Sequence, residues 1–139
     1  RLPGADIVLM GISFGAAVAL SMKTPVQRVV LVEPFLSPDR PVVQSWASRA
    51  RGDQKQFALE ALDPRIRYEI RTTAPTFVLA GSGPGSLTQD SDLAALGAAG
   101  AKHRRVAGNH DLPRENPSAL AAYLSEHDDD EPIASGAAT

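Results

Sequence analysis

An α/β domain of three layers, a mostly parallel sheet with helices on both faces, is what this sequence predicts, on three observations. Four short apolar, β-branched runs can be picked out, at 7–10, 28–32, 76–80 and 104–107, the last of them the least apolar. Helical patterns alternate with these runs, the order of a sheet built from strand-helix-strand units. At the first strand-to-helix junction stands Gly11-Ile12-Ser13-Phe14-Gly15, a G-x-S-x-G pentapeptide.

Each element can be justified in order. The run 7–10 leads into the pentapeptide and then into small apolar residues over 16–22. A serine on so sharp a turn takes a positive φ, and glycine is the residue that accepts close backbone approach without a Cβ. A larger side chain at Gly11 or Gly15 is therefore expected to push the turn open. The helix over 16–22 is apolar nearly all round, which predicts burial in the middle of the domain. Residues 37–73 break the alternation after the second strand. Val42, Val43, Trp46, Ala47 and Ala50 recur at steps of three and four, and Phe57, Ala58, Ala61 and Leu62 do so again, predicting two short inserted helices. Such spacing fits a lid and equally a crossover packed on the sheet. Leu93, Ala94, Leu96 and Ala99 make one face of a later helix, which Gly97 and Gly100 help to end. The last helix has Asn116 as N-cap, Pro117 at its first position, and Leu120, Ala121, Tyr123 and Leu124 on one face. From His127 the acidic run 128–131 and the small-residue ending read as a solvated, disordered tail.

Composition narrows the function classes. With 139 residues, 43% of them hydrophobic, the chain fits one domain, taken as 1–126 with the tail at 127–139. A formal charge of −2 provides no basic field for nucleic acid or anionic lipid, so neither is expected as a partner. No apolar run approaches the ~18 residues of a membrane span, and no signal-peptide core opens the chain. The absence of cysteine excludes disulfides and thiolate zinc sites. A cytoplasmic location is the default expectation. Because residue 1 is arginine, the chain is expected to be processed or part of something longer.

A serine hydroxyl needs a base to become a nucleophile, and the base needs an orienting carboxylate. Of three histidines, His103 lies in a charged approach to a strand and His127 opens the acidic tail; both read as surface residues. His110 differs, because Gly108-Asn109-His110-Asp111 follows the fourth strand and lets a loop carry an imidazole across the sheet end. Loops at the carboxyl ends of parallel strands form the crevice of such a domain, and Ser13 and His110 both lie on them. Two rival signals are discounted. The loop 81–86 looks like a phosphate cradle but has the wrong glycine spacing, a proline and no lysine. Asn109-His110-Asp111 resembles a metallophosphoesterase element, yet the upstream ligand motifs of such enzymes are missing.

These residues together resemble the C-terminal half of an α/β-hydrolase-fold enzyme. The resemblance rests on Gly11-Ile12-Ser13-Phe14-Gly15, the strand ending in Glu33-Pro34-Phe35, the insert, the strand leading to Gly81, and Gly108-Asn109-His110-Asp111 with its helix, over about residues 5–126. It implies Ser13 as nucleophile, His110 as base and the backbone amide of Phe14 as an oxyanion donor. The family usually carries its acid shortly after the glycine that ends the third strand here. This chain has no carboxylate there until Asp90. Glu33, at the carboxyl end of the second strand, is the better candidate, its alternative role being a structural carboxylate held by backbone amides. Asp90 and Asp92 stand where a helix begins, and capping is the simpler reading for both.

The function so implied is a serine hydrolase acting on an ester, thioester or amide, with a small acyl substrate and no cofactor or metal. The alternative is a non-catalytic hydrolase-like domain that binds a small molecule or partner chain. The resemblance also implies that the family's earlier strands, one of which precedes the loop with the second oxyanion donor, are not among these residues. The isolated chain is then expected to be inactive, and to self-associate through its exposed first strand.

Overall fold

The computed structural model describes residues 7–63, 65, 68–70 and 74–127, with no side chains described for 59–61. The tail expected over 128–139 lies outside the described residues. Four strands, β1 (Val8–Ile12), β2 (Arg28–Val32), β3 (Thr76–Gly81) and β4 (Lys102–Val106), pair in parallel in the order β1-β2-β3-β4. Helix α1 (Phe14–Ser21) joins β1 to β2, α2 (Pro41–Ser48) and α3 (Asp53–Ala61) lie between β2 and β3, and α4 (Asp90–Ala98) joins β3 to β4. The short α5 (Leu112–Glu115) and then α6 (Pro117–Glu126) follow β4.

Every residue of β2 and β3 is buried, because a parallel sheet is covered on both faces. On one face Ala16, Ala19 and Leu20 of α1 and Leu93 and Leu96 of α4 pack on Val29, Leu31, Val78 and Ala80. On the other, Leu112 and Tyr123 pack on Val30, Val32, Phe77 and Leu79. The chain therefore has the three-layer α/β architecture its sequence predicts. The inserted helices belong to neither layer. Val43 and Ala58 pack with Phe35 and Leu87, and Phe14, Trp46 and Tyr68 join them, so the pair sits over residues that follow strand ends.

Local rules account for the helix ends. Gly100 takes φ +92 after α4, with the Ala101 amide on the Leu96 carbonyl at 3.0 Å and the Gly100 amide on Gly97 at 2.9 Å. That is a Schellman ending; Gly97 itself lies inside the helix rather than helping to end it. The buried face of α4 is Asp92, Leu93 and Leu96, with Ala94 and Ala99 exposed. Asn116 caps α6 by accepting from the Ala119 amide at 3.2 Å, with Pro117 at the first position. Ala121, expected on the apolar face of α6, is exposed.

Three further expectations are corrected. Helix α1 is not buried on every side: Val18 is 48% exposed and Met22, at its end, 39%. Strand β4 begins at Lys102, ahead of the apolar run, because long stems can lie on aromatic rings while their charged heads stay in water. Lys102 stands over Phe77 and Arg104 over Tyr123. His127 is no plain surface residue, since its ring stacks on Phe77 with centroids 4.2 Å apart and its carbonyl accepts from Arg28.

Candidate active site

All four strands end on the same side, so the residues just beyond them share one rim. Ser13 follows β1 with φ 55 and ψ −121, and its amide donates to the Val32 carbonyl at 2.9 Å. Ser13 thus stands beside the end of β2. A Cβ on Gly11 would lie 2.4 Å from the Gly15 carbonyl oxygen and 2.7 Å from the Ala16 Cα, so strand and helix meet only because residue 11 has none. Gly15 is different: a Cβ there meets nothing within 4 Å, which corrects the expectation that a larger side chain would open the turn. The contact is made by the Gly15 carbonyl, not by its Cα. Phe14 opens α1, whose first-turn amides have no acceptor within the helix.

Glu33 follows β2, and its amide continues the ladder onto the Leu79 carbonyl at 2.9 Å. Its φ of 51 makes it, with Ser13, one of two non-glycine residues with positive φ among those described. Such backbone costs of order 1–3 kcal/mol and persists where surroundings over-determine it. Here they do. The side chain is fully buried, and its carboxylate accepts from the Gly81 amide, from Ser86 Oγ at 2.8 and 3.0 Å, and from the Leu87 amide at 2.9 Å. His110 Nδ1 lies 3.3 Å from Glu33 Oε2. Burial pushes this carboxyl up, but the bonds from His110, the Gly81 amide, Ser86 and the Leu87 amide outweigh it and hold the group below its ordinary 4.5.

His110 is carried by the loop after β4. Gly108 has φ +136, and a Cβ on it would meet Leu112 at 2.5 Å, so the turn requires glycine. Asn109 braces the loop: its side chain accepts from the Gly85 amide at 2.9 Å and donates to Glu115 at 3.2 Å. The indole of Trp46, from α2, meets the imidazole edge-on with ring centres 5.8 Å apart. On the nucleophile side Phe14 contacts Phe57 and Tyr68 at 5.0 and 5.9 Å between centroids.

Of the sequence candidates, Glu33 and His110 are thus in hydrogen-bond contact, and Ser13 lies beside Glu33 across the β1–β2 ladder. Among the described residues no hydrogen bond joins the Ser13 hydroxyl to His110; such bonds are often long before substrate binds. Asp90 and Asp92 lie elsewhere. Asp90 is 94% exposed and pairs with Arg105. Asp92 is fully buried in a capping box with Gln89, and also accepts from the Leu36 amide at 3.1 Å and from Arg40 at 2.9 Å. The N-cap is therefore Gln89, with Asp92 three residues into the box. A cavity of about 270 Å³ between α2 and α3, lined by Gln44, Ala47, Ala50, Lys55, Ala58 and Leu62 among others, includes none of the three candidate residues.

Ser86 is the residue that sequence reasoning missed. The loop 81–86 looked like a decoy phosphate cradle, whereas its glycines allow approach to the histidine loop. A Cβ on Gly83 would lie 2.4 Å from Asn109 Oδ1, and one on Gly81 2.5 Å from the Gly108 carbonyl. The available signal was a glycine-rich loop, without a carboxylate, set before a Gly-Asn-His turn.

No family model and no curated protein sequence matches this chain. Solved structures do. An esterase of Pyrococcus furiosus superposes with a TM-score of 0.65 at 16% identity, over 87% of this chain and 52% of its own. The thioesterase domain of the curacin biosynthetic pathway gives 0.55 at 20% identity, over 88% and 66%. A lipase-esterase related protein of Clostridium acetobutylicum gives 0.59 at 15% identity, over 87% and 65%. All are of the α/β-hydrolase fold, and this chain has that fold. It spans about half to two thirds of the length of these structures.

Proposed function

We propose that the chain carries the nucleophile, acid and base of a serine hydrolase acting on an ester, thioester or amide. The observation that supports this best is the contact of His110 Nδ1 with the buried Glu33 carboxylate, one strand away from a serine with positive φ on a G-x-S-x-G turn. Glu33 accepts a hydrogen bond from Nδ1–H and so favours the tautomer with Nε2 unprotonated, which can take a proton from Ser13. Ser13 Oγ attacks the acyl carbon as its proton passes to Nε2, and the Phe14 amide donates to the oxyanion that forms. The imidazolium, stabilised by ionised Glu33, returns the proton to the leaving oxygen, sulfur or nitrogen. Water, activated by the same nitrogen, then releases the acid product and restores Ser13. Phe14, Trp46, Phe57 and Tyr68 make the surroundings of the serine and histidine aromatic, which suits an apolar acyl group.

The test is a fluorophosphonate probe on the full-length folded protein. Ser13 should be labelled, and Ser13→Ala should abolish both labelling and turnover of short acyl esters. Equal labelling of Ser13→Ala would remove the nucleophile assignment.

A further inference from the structure

We infer that the loop after β3 is a two-sided clamp that sets the Glu33–His110 pair, with Ser86 as a positioning residue for the carboxylate. The inference rests on the reading of that pair as acid and base.

Glu33 follows β2, yet apart from His110 every donor to its carboxylate comes from the end of β3 and its loop: the Gly81 amide, Ser86 Oγ and the Leu87 amide. The other side of the loop grips the histidine turn, with the Gly83 amide on the Gly108 carbonyl at 2.8 Å and the Gly85 amide on Asn109 Oδ1 at 2.9 Å. A single loop therefore fixes the acid and the two residues before the base. Within the clamp Ser86 has a particular task. The terminal torsion of a glutamate is broad and two-fold, so packing alone does not aim one oxygen at Nδ1. Ser86 Oγ lies 2.8 Å from Oε1 and 3.0 Å from Oε2, straddling the carboxylate and fixing its plane. Without that hydroxyl, Oε1 keeps only the Gly81 amide and Oε2 only the Leu87 amide beside His110, so the plane of the carboxylate is held less firmly toward Nδ1.

The test uses Ser86→Ala, with Ser86→Thr to restore the hydroxyl, in the full-length protein. Hydrogen bonds to charged groups are strong enough that Ser86→Ala should lower kcat about tenfold or more while KM changes little. The downfield Nδ1 proton resonance of His110 should broaden or vanish in Ser86→Ala and return in Ser86→Thr, along with most of kcat. If Ser86→Ala does not fold, Ser86→Cys keeps the shape with a weaker donor and should show a smaller loss of the same kind. Wild-type kcat and an unchanged resonance in the Ala or Cys variant would overturn the inference, as would equal losses in the Thr variant. Absence of Ser13-dependent turnover in the wild type would instead overturn the hydrolase reading. The resonance then decides alone whether Ser86 sets the pair.

Discussion

Glu33 is a carboxylate taken out of water and repaid by four donors, and this gives it two separable signatures. In catalysis, on the proposed mechanism, Glu33→Gln removes the acceptor that selects the histidine tautomer, so turnover should fall by a factor on the order of 10³ or more with substrate binding largely kept. In stability, its carboxyl lies below 4.5 in the fold, so ionisation favours the folded state at pH above the ordinary carboxylate value. That contribution fades as pH falls through 4.5 toward the lower folded value. Urea unfolding should therefore show a gap between wild type and Glu33→Gln that narrows on acidification from pH 7. A gap independent of pH would mean that Glu33 is not held ionised. Glu33 was legible as a candidate from its place after a strand and from the missing carboxylate near residue 84. Its donors were not legible, because Gly81, Ser86 and Leu87 lie 48, 53 and 54 residues away and only the parallel pairing of β2 with β3 joins them.

At the scale of elements, helix ends and strand cores were readable, because caps and periodicity are local properties. Close approaches between elements were not, and the two elbow glycines illustrate this. In sequence they look equivalent; in space only Gly11 faces backbone. Gly11→Ala should destabilise by at least the ~1–3 kcal/mol typical of overpacking, since backbone atoms at 2.4 and 2.7 Å cannot rotate away. Gly15→Ala should be neutral, or stabilising by up to ~1 kcal/mol, because alanine is the better helix former. Denaturant midpoints of the two variants would test the contrast. The aspartates of α4 form a second pair alike in sequence and unlike in space. Asp92→Asn removes the charge that faces Arg40, but burial pushes this carboxyl up and an amide oxygen can still accept from part of the same donor set, so a loss of about 1 kcal/mol is expected. Asp90→Asn, at an exposed pair with Arg105, should be close to neutral. If Asp90→Asn cost turnover while Asp92→Asn and Glu33→Gln did not, the acid would have to be sought at the start of α4.

The whole molecule has two sheet edges of opposite character. At β4 the edge is charged: Lys102, His103 and Arg104 are exposed, and Arg104 pairs with Glu126 at 2.7 Å. Charged side chains of this kind discourage another strand from adding. At β1 the edge is apolar. Val8, Met10 and Ile12 are 40%, 46% and 40% exposed, and their register partners Arg28, Val30 and Val32 are buried. The layer that covers β2 on that face therefore stops short of β1. Ile7, Val18 and Met22 extend the same apolar character around the strand and its helix, at 51%, 48% and 39% exposure. A free strand edge beside an apolar face lowers free energy when another strand and its covering surface dock there. We propose that the 139-residue polypeptide by itself takes a second copy at this edge, so light scattering should give a mass above that of one chain, rising with concentration. Met10→Lys with Val8→Lys should return it to a monomer, because charges on an edge strand oppose pairing. Replacing Lys102 with glutamine, on the far edge, should leave association unchanged. A concentration-independent monomer in the unmodified chain, or association that survives the two lysines, would place the contact elsewhere or remove it.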